Sequence, residues 1–258
     1  MHIALFFCLL PIAPCLFPIF TPMHITSLTI IKYRRRYIFF ALSAMGLFRL
    51  PLWRNKRISF YKLLGTGKNG SFDKRPDWQQ WGILAVHTTT LPAQPSVPDM
   101  YGKFIACWLR FFRCELKTFL LQPLGGHGNW DNKKPFGDVF IPTQHEGRIA
   151  VLTRATVKLR KLRYFWANTA SVAARMKQAK GFISSYGIGE MPWIKQATFS
   201  IWESMEDMKA FAYGMREHTD VIKKTRQQKW YSEELFMRFK IIGEFMRDCQ
   251  GELVEPGS

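Results

Sequence analysis

A histidine set into the apolar stripe of a helix has the clearest chemical use of any residue in this chain. Phe211, Met215, His218, Ile222 and Thr225 recur at steps of four, three, four and three, the repeat of one helical face. An imidazole there has two uses. It hydrogen-bonds a neighbouring carbonyl or carboxylate, or it turns its free nitrogen to a cavity and ligates an iron, as a proximal haem histidine does.

Other metal chemistries lack their ligands. The five cysteines are Cys8, Cys15, Cys107, Cys114 and Cys249. They form no Cys-x-x-Cys, no Cys-x-x-Cys-His for covalent haem and no zinc spacing, so reduced thiols in a cytoplasmic protein are expected. His127 lies in a turn-rich stretch from Gly125 to Phe136, a composition that reads as a solvent-exposed connector rather than a source of ligands.

At 258 residues, 47% hydrophobic and 15% aromatic, the chain has material for a sizeable core, which excludes general disorder. Its 37 Lys and Arg against 19 Asp and Glu leave a formal charge of +18, attractive to any polyanion. The cations cluster at Arg34-Arg35-Arg36, Arg54 to Arg57, Lys158 to Arg163 and Lys223 to Lys229, each beside a predicted helix. No zinc finger, RNP-type aromatic strand or Gly-x-x-Gly loop accompanies them, which argues against nucleic acid as a partner. Solvated helical faces, or the anionic inner face of a membrane, account for them better.

Residues 1–22 carry no Lys, Arg, Asp or Glu and are interrupted by Pro11, Pro14 and Pro18. They lack the positive start of a signal peptide, and each proline costs about 3 kcal/mol inside a soluble helix, less in a membrane. A start placed too early explains this apolar leader most simply; an uncleaved hydrophobic anchor is the alternative.

The elements that must position His218 follow from periodicity. Strands are predicted at 24–33, 58–64, 81–89 and 116–123, with helices at 37–48 and 98–112. The order strand, helix, strand, strand, helix, strand then recurs: strand 148–157, helix 159–178, strands 182–188 and 196–203, helical segments over 205–229, strand 234–244. Gly65-Thr66-Gly67 and Gly187-Ile188-Gly189 fall at matching places, where hairpin turns need glycine. The expected fold is α+β: two tandem ferredoxin-like repeats, 23–123 and 147–246, joined by a linker at 124–146 and followed by a tail at 247–258. Their antiparallel sheets face each other as a barrel of the dimeric α+β type, with an apolar pocket expected inside.

Several segments carry a family resemblance. Lys62-Leu-Leu-Gly-Thr-Gly67, Gly128-Asn-Trp130 with Pro135-Phe136, Gly147-Arg-Ile-Ala-Val-Leu-Thr-Arg-Ala-Thr156, Gly187-Ile-Gly-Glu190, Thr198-Phe-Ser-Ile-Trp202, Phe211-Ala-Tyr213, His218 and Trp230-Tyr-Ser-Glu-Glu-Leu-Phe236 resemble the spheroidene monooxygenase family. The likeness runs from about Met23 to Phe245 and is more specific in the second half. It implies a haem b protein that uses dioxygen and electrons from a reduced ferredoxin to oxidise the terminal region of an acyclic carotenoid, in that family to a ketone. Fold likeness alone does not fix chemistry. A haem barrel with other chemistry, such as aldoxime dehydration, and a non-catalytic binding barrel are the alternatives.

Carried onto this chain, the resemblance makes His218 the axial iron ligand. The matching helix of the first repeat has Arg110 near that place, so one haem per chain is expected. Arg216 and Arg226 are candidate partners for haem propionates, because guanidinium matches carboxylate geometry. Trp202, Phe211, Tyr213 and Trp230 are candidates to line the substrate pocket, against the plainer role of aromatic core. Thr153, Thr198 and Tyr186 are strand-borne hydroxyls for proton delivery, unranked among themselves.

Overall fold

A computed structural model describes residues 25–68, 75–137, 145–191, 193–218, 231–248 and 253–254, without the side chains of 168, 170, 215–218 and 253–254. Residues 1–22, read above as a leader, lie outside that range. In chain order the elements are β1 (Ile25–Lys32), α1 (Ile38–Leu47), α2 (Arg49–Arg54), β2 (Ile58–Gly67), β3 (Pro76–His87), α3 (Val97–Tyr101), α4 (Lys103–Phe111), β4 (Glu115–Gly128), β5 (Ile149–Val157), α5 (Leu162–Gln178), β6 (Phe182–Met191), β7 (Lys195–Trp202), α6 (Met205–His218), β8 (Tyr231–Arg247) and β9 (Leu253–Val254).

Every strand pairing is antiparallel, in the order β4-β1-β3-β2-β6-β7-β5-β8, and β4 pairs back onto β8. Eight strands of one chain thereby close into a barrel, which removes the open edges that a flat sheet exposes. The two seams differ. β4 and β8 run together from Leu116↔Arg247 to Gly128↔Leu235, whereas β2 and β6 meet only at Gly65↔Gly189 and Thr66↔Ile188.

That second seam corrects the expectation for the glycine motifs. Gly65-Thr66-Gly67 and Gly187-Ile188-Gly189 are strand, not hairpin turn, and they join the two halves of the barrel. A Cβ on Gly189 would stand 2.8 Å from the Lys195 carbonyl oxygen, so glycine serves close strand approach here. The helix predicted over 98–112 is divided. Gly102, at φ 93°, ends α3 and begins α4, and no L side chain adopts that backbone easily.

Strand alternation sorts the core into an inside and two outsides. Leu28, Ile30, Leu84, Phe119, Phe199 and Phe239 point inward with Trp130 and Phe136, all buried, and fill the barrel. Each such large apolar side chain contributes about 1.5–3 kcal/mol when removed from water. Where the sequence leads one to expect an apolar pocket, these described residues pack as core. The linker reading is also revised. Residues 125–128 extend β4 along β8, and Trp130 and Phe136 plug the barrel.

Outside, the first half is sealed by a cluster of seventeen buried residues between its strands and α1 to α4, among them Phe48, Leu52, Met100, Tyr101, Ile105 and Phe112. Among the described residues, the matching cluster of the second half holds Leu124, Ile149, Val151, Met176, Trp202, Met205 and Met208. Along α5, only Trp166 and Met176 are buried among the described side chains. The thinness of that layer leaves room for a site.

Candidate functional site

The site begins with one transverse row on the outer face of the second half. His127 of β4 pairs with Phe236 of β8, Phe236 with Thr153 of β5, Thr153 with Thr198 of β7, and Thr198 with Gly187 of β6. Side chains of one row on one face stand side by side. The His127 ring stacks on Phe236 at 5.6 Å and 26°. Phe165 of α5 covers the row from above and meets Tyr231 of β8 edge-on at 6.3 Å.

Between them lies a cleft of about 140 Å³, walled by His127, Thr153, Thr198, Phe165, Tyr231 and Phe236, with Ala155, Gln196, Glu234, Leu235 and Arg154 at its edges. Aromatic faces give it apolar walls, and the threonine pair with the imidazole supply hydroxyl and ring-nitrogen groups. Burial, with the Glu234 carboxylate beside it, raises the Tyr231 phenol above its ordinary pKa and keeps it protonated.

Arg154 touches the cleft, yet its guanidinium is committed elsewhere. It is 1% exposed, and its Nη1 donates to Glu233 while Nη2 lies 3.3 Å from Glu190 Oε1 and 3.5 Å from Asp131 Oδ1. Lys62 pairs with Asp131 and, at 2.7 Å, with Glu190; Lys195 pairs with Asp131 at 2.9 Å; and Trp130 Nε1 donates to Glu190 at 2.6 Å. Three cations and three carboxylates balance around the buried Arg154 guanidinium, as a buried charge requires. Burial pushes the Asp131 carboxyl up, but Lys62 and Lys195 outweigh it and hold it at about 2. This network ties β2, β5, β6, β7 and β8 to the loop after β4, and it is invisible in the sequence because its members are spread from Lys62 to Glu233.

The sequence candidates separate in the structure. Thr153 and Thr198 come together on the cleft wall, while Tyr186 faces the barrel interior, its ring 5.9 Å from Phe119 and 6.5 Å from Phe199. Trp202 and Phe211 pack on each other at 5.2 Å beneath α6, and Trp202 Nε1 donates to Ser200 Oγ at 3.0 Å. They are core and do not border the cleft; Tyr213, 58% exposed, does not border it either. His218 is the last residue of α6, and Arg216 precedes it by two, but both side chains lie outside the described residues, as do Arg226 and Trp230 entirely. His127, read as a connector residue, is instead on a strand at the cleft. The missed signal is β4 itself, whose pairing runs on through a Gly-Gly-His-Gly stretch that single-sequence composition assigns to a turn.

Taken together, these features define an α+β barrel protein with a small-ligand cleft between its second-half sheet and a loosely held helix. An aldoxime dehydratase crystallised with butyraldoxime shares this fold, with a TM-score of 0.52 at 9% identity over 90% of this chain and 81% of that one. No family model matches the chain. The spheroidene monooxygenase of Cereibacter sphaeroides is 34% identical over 228 residues, 86% of this chain and 68% of that protein. The spheroidene monooxygenase of Rhodobacter capsulatus is 34% identical over 206 residues, 78% of this chain and 83% of its own length. The one from Rubrivivax gelatinosus is 31% identical over 180 residues, covering 70% of this chain and 67% of that protein. The chain belongs to the spheroidene monooxygenase family, and it is an oxidoreductase.

Proposed function

We propose that the chain is a haem-dependent monooxygenase acting on the terminal region of an acyclic carotenoid, with dioxygen as oxidant and a reduced ferredoxin as electron donor. The support is the 34% identity over 86% of the chain to a protein named spheroidene monooxygenase. One oxygen atom enters a C–H bond and the other leaves as water with two electrons and two protons; a second insertion at the same carbon, after loss of water, gives the ketone. The first half, built as two ferredoxin-like units with the second, serves as scaffold, and the second half holds the chemistry.

In this reading His218, the last residue of α6, would hold the iron of a haem b, Arg216 and Arg226 would pair with its propionates, and Trp230 would border the substrate. The residues fit such a group in kind. Phe165, Tyr231 and Phe236 offer flat apolar faces, and the indole N–H of Trp166, next to Phe165 on α5, is buried without an acceptor among the described residues. The cleft's 140 Å³ is below the roughly 300–1,000 Å³ of ordinary small-molecule pockets, so these described residues would hold part of a tetrapyrrole rather than the whole. When bound, the haem supplies the iron at which dioxygen is reduced.

The chain's own part is position, dryness and protons. Phe165 and Phe236 exclude water from the reacting carbon. The adjacent hydroxyls of Thr153 and Thr198 hold protons on the cleft wall. A carotenoid resides in lipid, so the basic chain works at the anionic inner face of a membrane.

Two measurements test this. Protein reconstituted with haem is expected to show a Soret band that His218→Ala loses, and with reduced ferredoxin and dioxygen it is expected to convert an acyclic carotenoid to hydroxylated and keto products detected by mass. A protein that stays colourless on titration with haem would sink the proposal. A Soret band without carotenoid product would move the chain to a haem barrel of other chemistry.

A further inference from the structure

The helices over the first half expose what a water-facing surface ordinarily hides. Phe39 of α1, Trp53 of α2 and Phe111 of α4 are 72%, 72% and 78% exposed, and Leu47, Leu50 and Phe104 are exposed beside them. They form one face. Phe40 of α1 stacks on Phe112 at the end of α4 at 4.7 Å, and Phe48 after α1 meets Trp108 and Phe104 of α4 at 5.9 and 6.5 Å. α1 and α4 therefore lie side by side, with α2 continuing from α1. Contiguous apolar surface of this kind marks an interaction site.

Its charge identifies the partner. From Tyr33 to Phe72 the sequence has nine Lys and Arg and no Asp or Glu, and no acidic residue interrupts Tyr101 to Cys114, which adds Lys103, Arg110 and Arg113. Arg34, Arg35, Arg36, Arg49, Arg54 and Arg57 are all exposed around the apolar rings. A second copy of the chain placed face to face would bring those cations against one another. An anionic bilayer meets both properties at once: hydrocarbon for the rings and phosphate for the arginines. No helix among the described residues is long and apolar enough to cross a membrane.

We infer that the α1, α2 and α4 face docks the protein on an anionic lipid bilayer, with Phe39, Trp53 and Phe111 entering the headgroup boundary. This names the contact for the membrane reading proposed above and rests on it. The cleft belongs to the other half of the barrel, which keeps the docking face and the chemistry on separate elements.

The test is cosedimentation of the full chain with vesicles of phosphatidylcholine, with and without phosphatidylglycerol, at low and high salt. Wild type is expected to bind the phosphatidylglycerol vesicles, more weakly as salt rises. The Phe39→Ser, Trp53→Ser and Phe111→Ser changes are each expected to weaken binding on the order of tenfold with unaltered circular dichroism, and Leu159→Ser on the second half, 69% exposed, to leave it unchanged. Wild type that ignores both vesicles overturns the membrane reading with the inference. Wild type that binds while the three variants bind equally well overturns the docking face alone. Concentration-dependent self-association of wild type that the variants abolish, with vesicle binding untouched, assigns the face to a second copy and overturns the inference.

Discussion

The two halves of the barrel put matching ladders to opposite use. β1 pairs with β3 from Ile25↔His87 to Lys32↔Gln80, and β5 with β7 from Ile149↔Trp202 to Thr156↔Lys195, each without a shift. Thr29 and Thr153 therefore occupy the same rung. Thr29 stands between Ile83 and Thr118, and Thr153 between Thr198 and Phe236. Above Thr29 the first half lays Tyr101, wholly buried, its hydroxyl 2.7 Å from Thr29 Oγ1 and 3.1 Å from Ser27 Oγ. Above Thr153 the cleft opens. A frame of one shape becomes a scaffold where an aromatic plug is supplied and a site where it is withheld.

The largest expected effect comes from pulling the plug. Tyr101→Ala removes a fully buried ring and leaves Ser27 and Thr29 beneath it each one partner short, a loss of about 3–5 kcal/mol by the cost of large-to-small core changes. Tyr101→Phe keeps the ring and is expected to cost about 1 kcal/mol, the worth of an ordinary hydrogen bond. Urea unfolding monitored by circular dichroism measures both. If Tyr101→Ala costs no more than Tyr101→Phe, the two halves do not differ by a plug and the contrast fails.

A smaller effect separates the halves by pH. At the first rung the first half has His87 where the second has Trp202. His87 is 1% exposed, its Nε2 lies 2.8 Å from Ser27 Oγ, and its Nδ1 has no partner among the described residues. Burial lowers its pKa to about 4. The unfolded chain, with an ordinary histidine pKa near 6.5, binds the proton first as pH falls. Stability from a neutral buried His87 is thus complete above pH ~6.5 and declines until pH ~4, by roughly 3 kcal/mol in all. Unfolding midpoints across that window are expected to slope for wild type and to flatten for His87→Gln; equal slopes would place the pH dependence elsewhere. Asp131, held at about 2, acts in a separate and more acidic window.

Much of the frame is legible in the sequence, because strand alternation and helix periodicity are local. Residues 24–33 read as a strand and are one from Ile25 to Lys32, and the strand read over 148–157 is β5. What escapes is whatever depends on pairing between distant strands. The glycine motifs look like turns because glycine is common in turns, but their use is set by the seam between β2 and β6. Thr153 and Thr198 were candidates beside Tyr186; only register puts the first two on one rung and turns Tyr186 into the barrel. His127 and Tyr101 are assigned by geometry alone. His218 stays as the periodicity of its helix left it, a position at the end of α6.

The smallest change in stability should carry the most information about function. Thr153 is exposed on β5, so Thr153→Leu adds an apolar side chain at a surface strand position and is expected to move stability by less than about 0.5 kcal/mol. In the cleft, the same side chain stands where Tyr101 stands over Thr29 and reproduces in miniature the plug of the first half. Haem uptake, read from the Soret absorbance per chain, and carotenoid turnover are both expected to fall severalfold while the unfolding midpoint holds. Thr153→Ser, which keeps the hydroxyl and removes one methyl group, should retain uptake. If Thr153→Leu binds haem and turns over substrate like wild type, the space above that rung is not where the chemistry sits, and the open half owes its looseness to something other than a site.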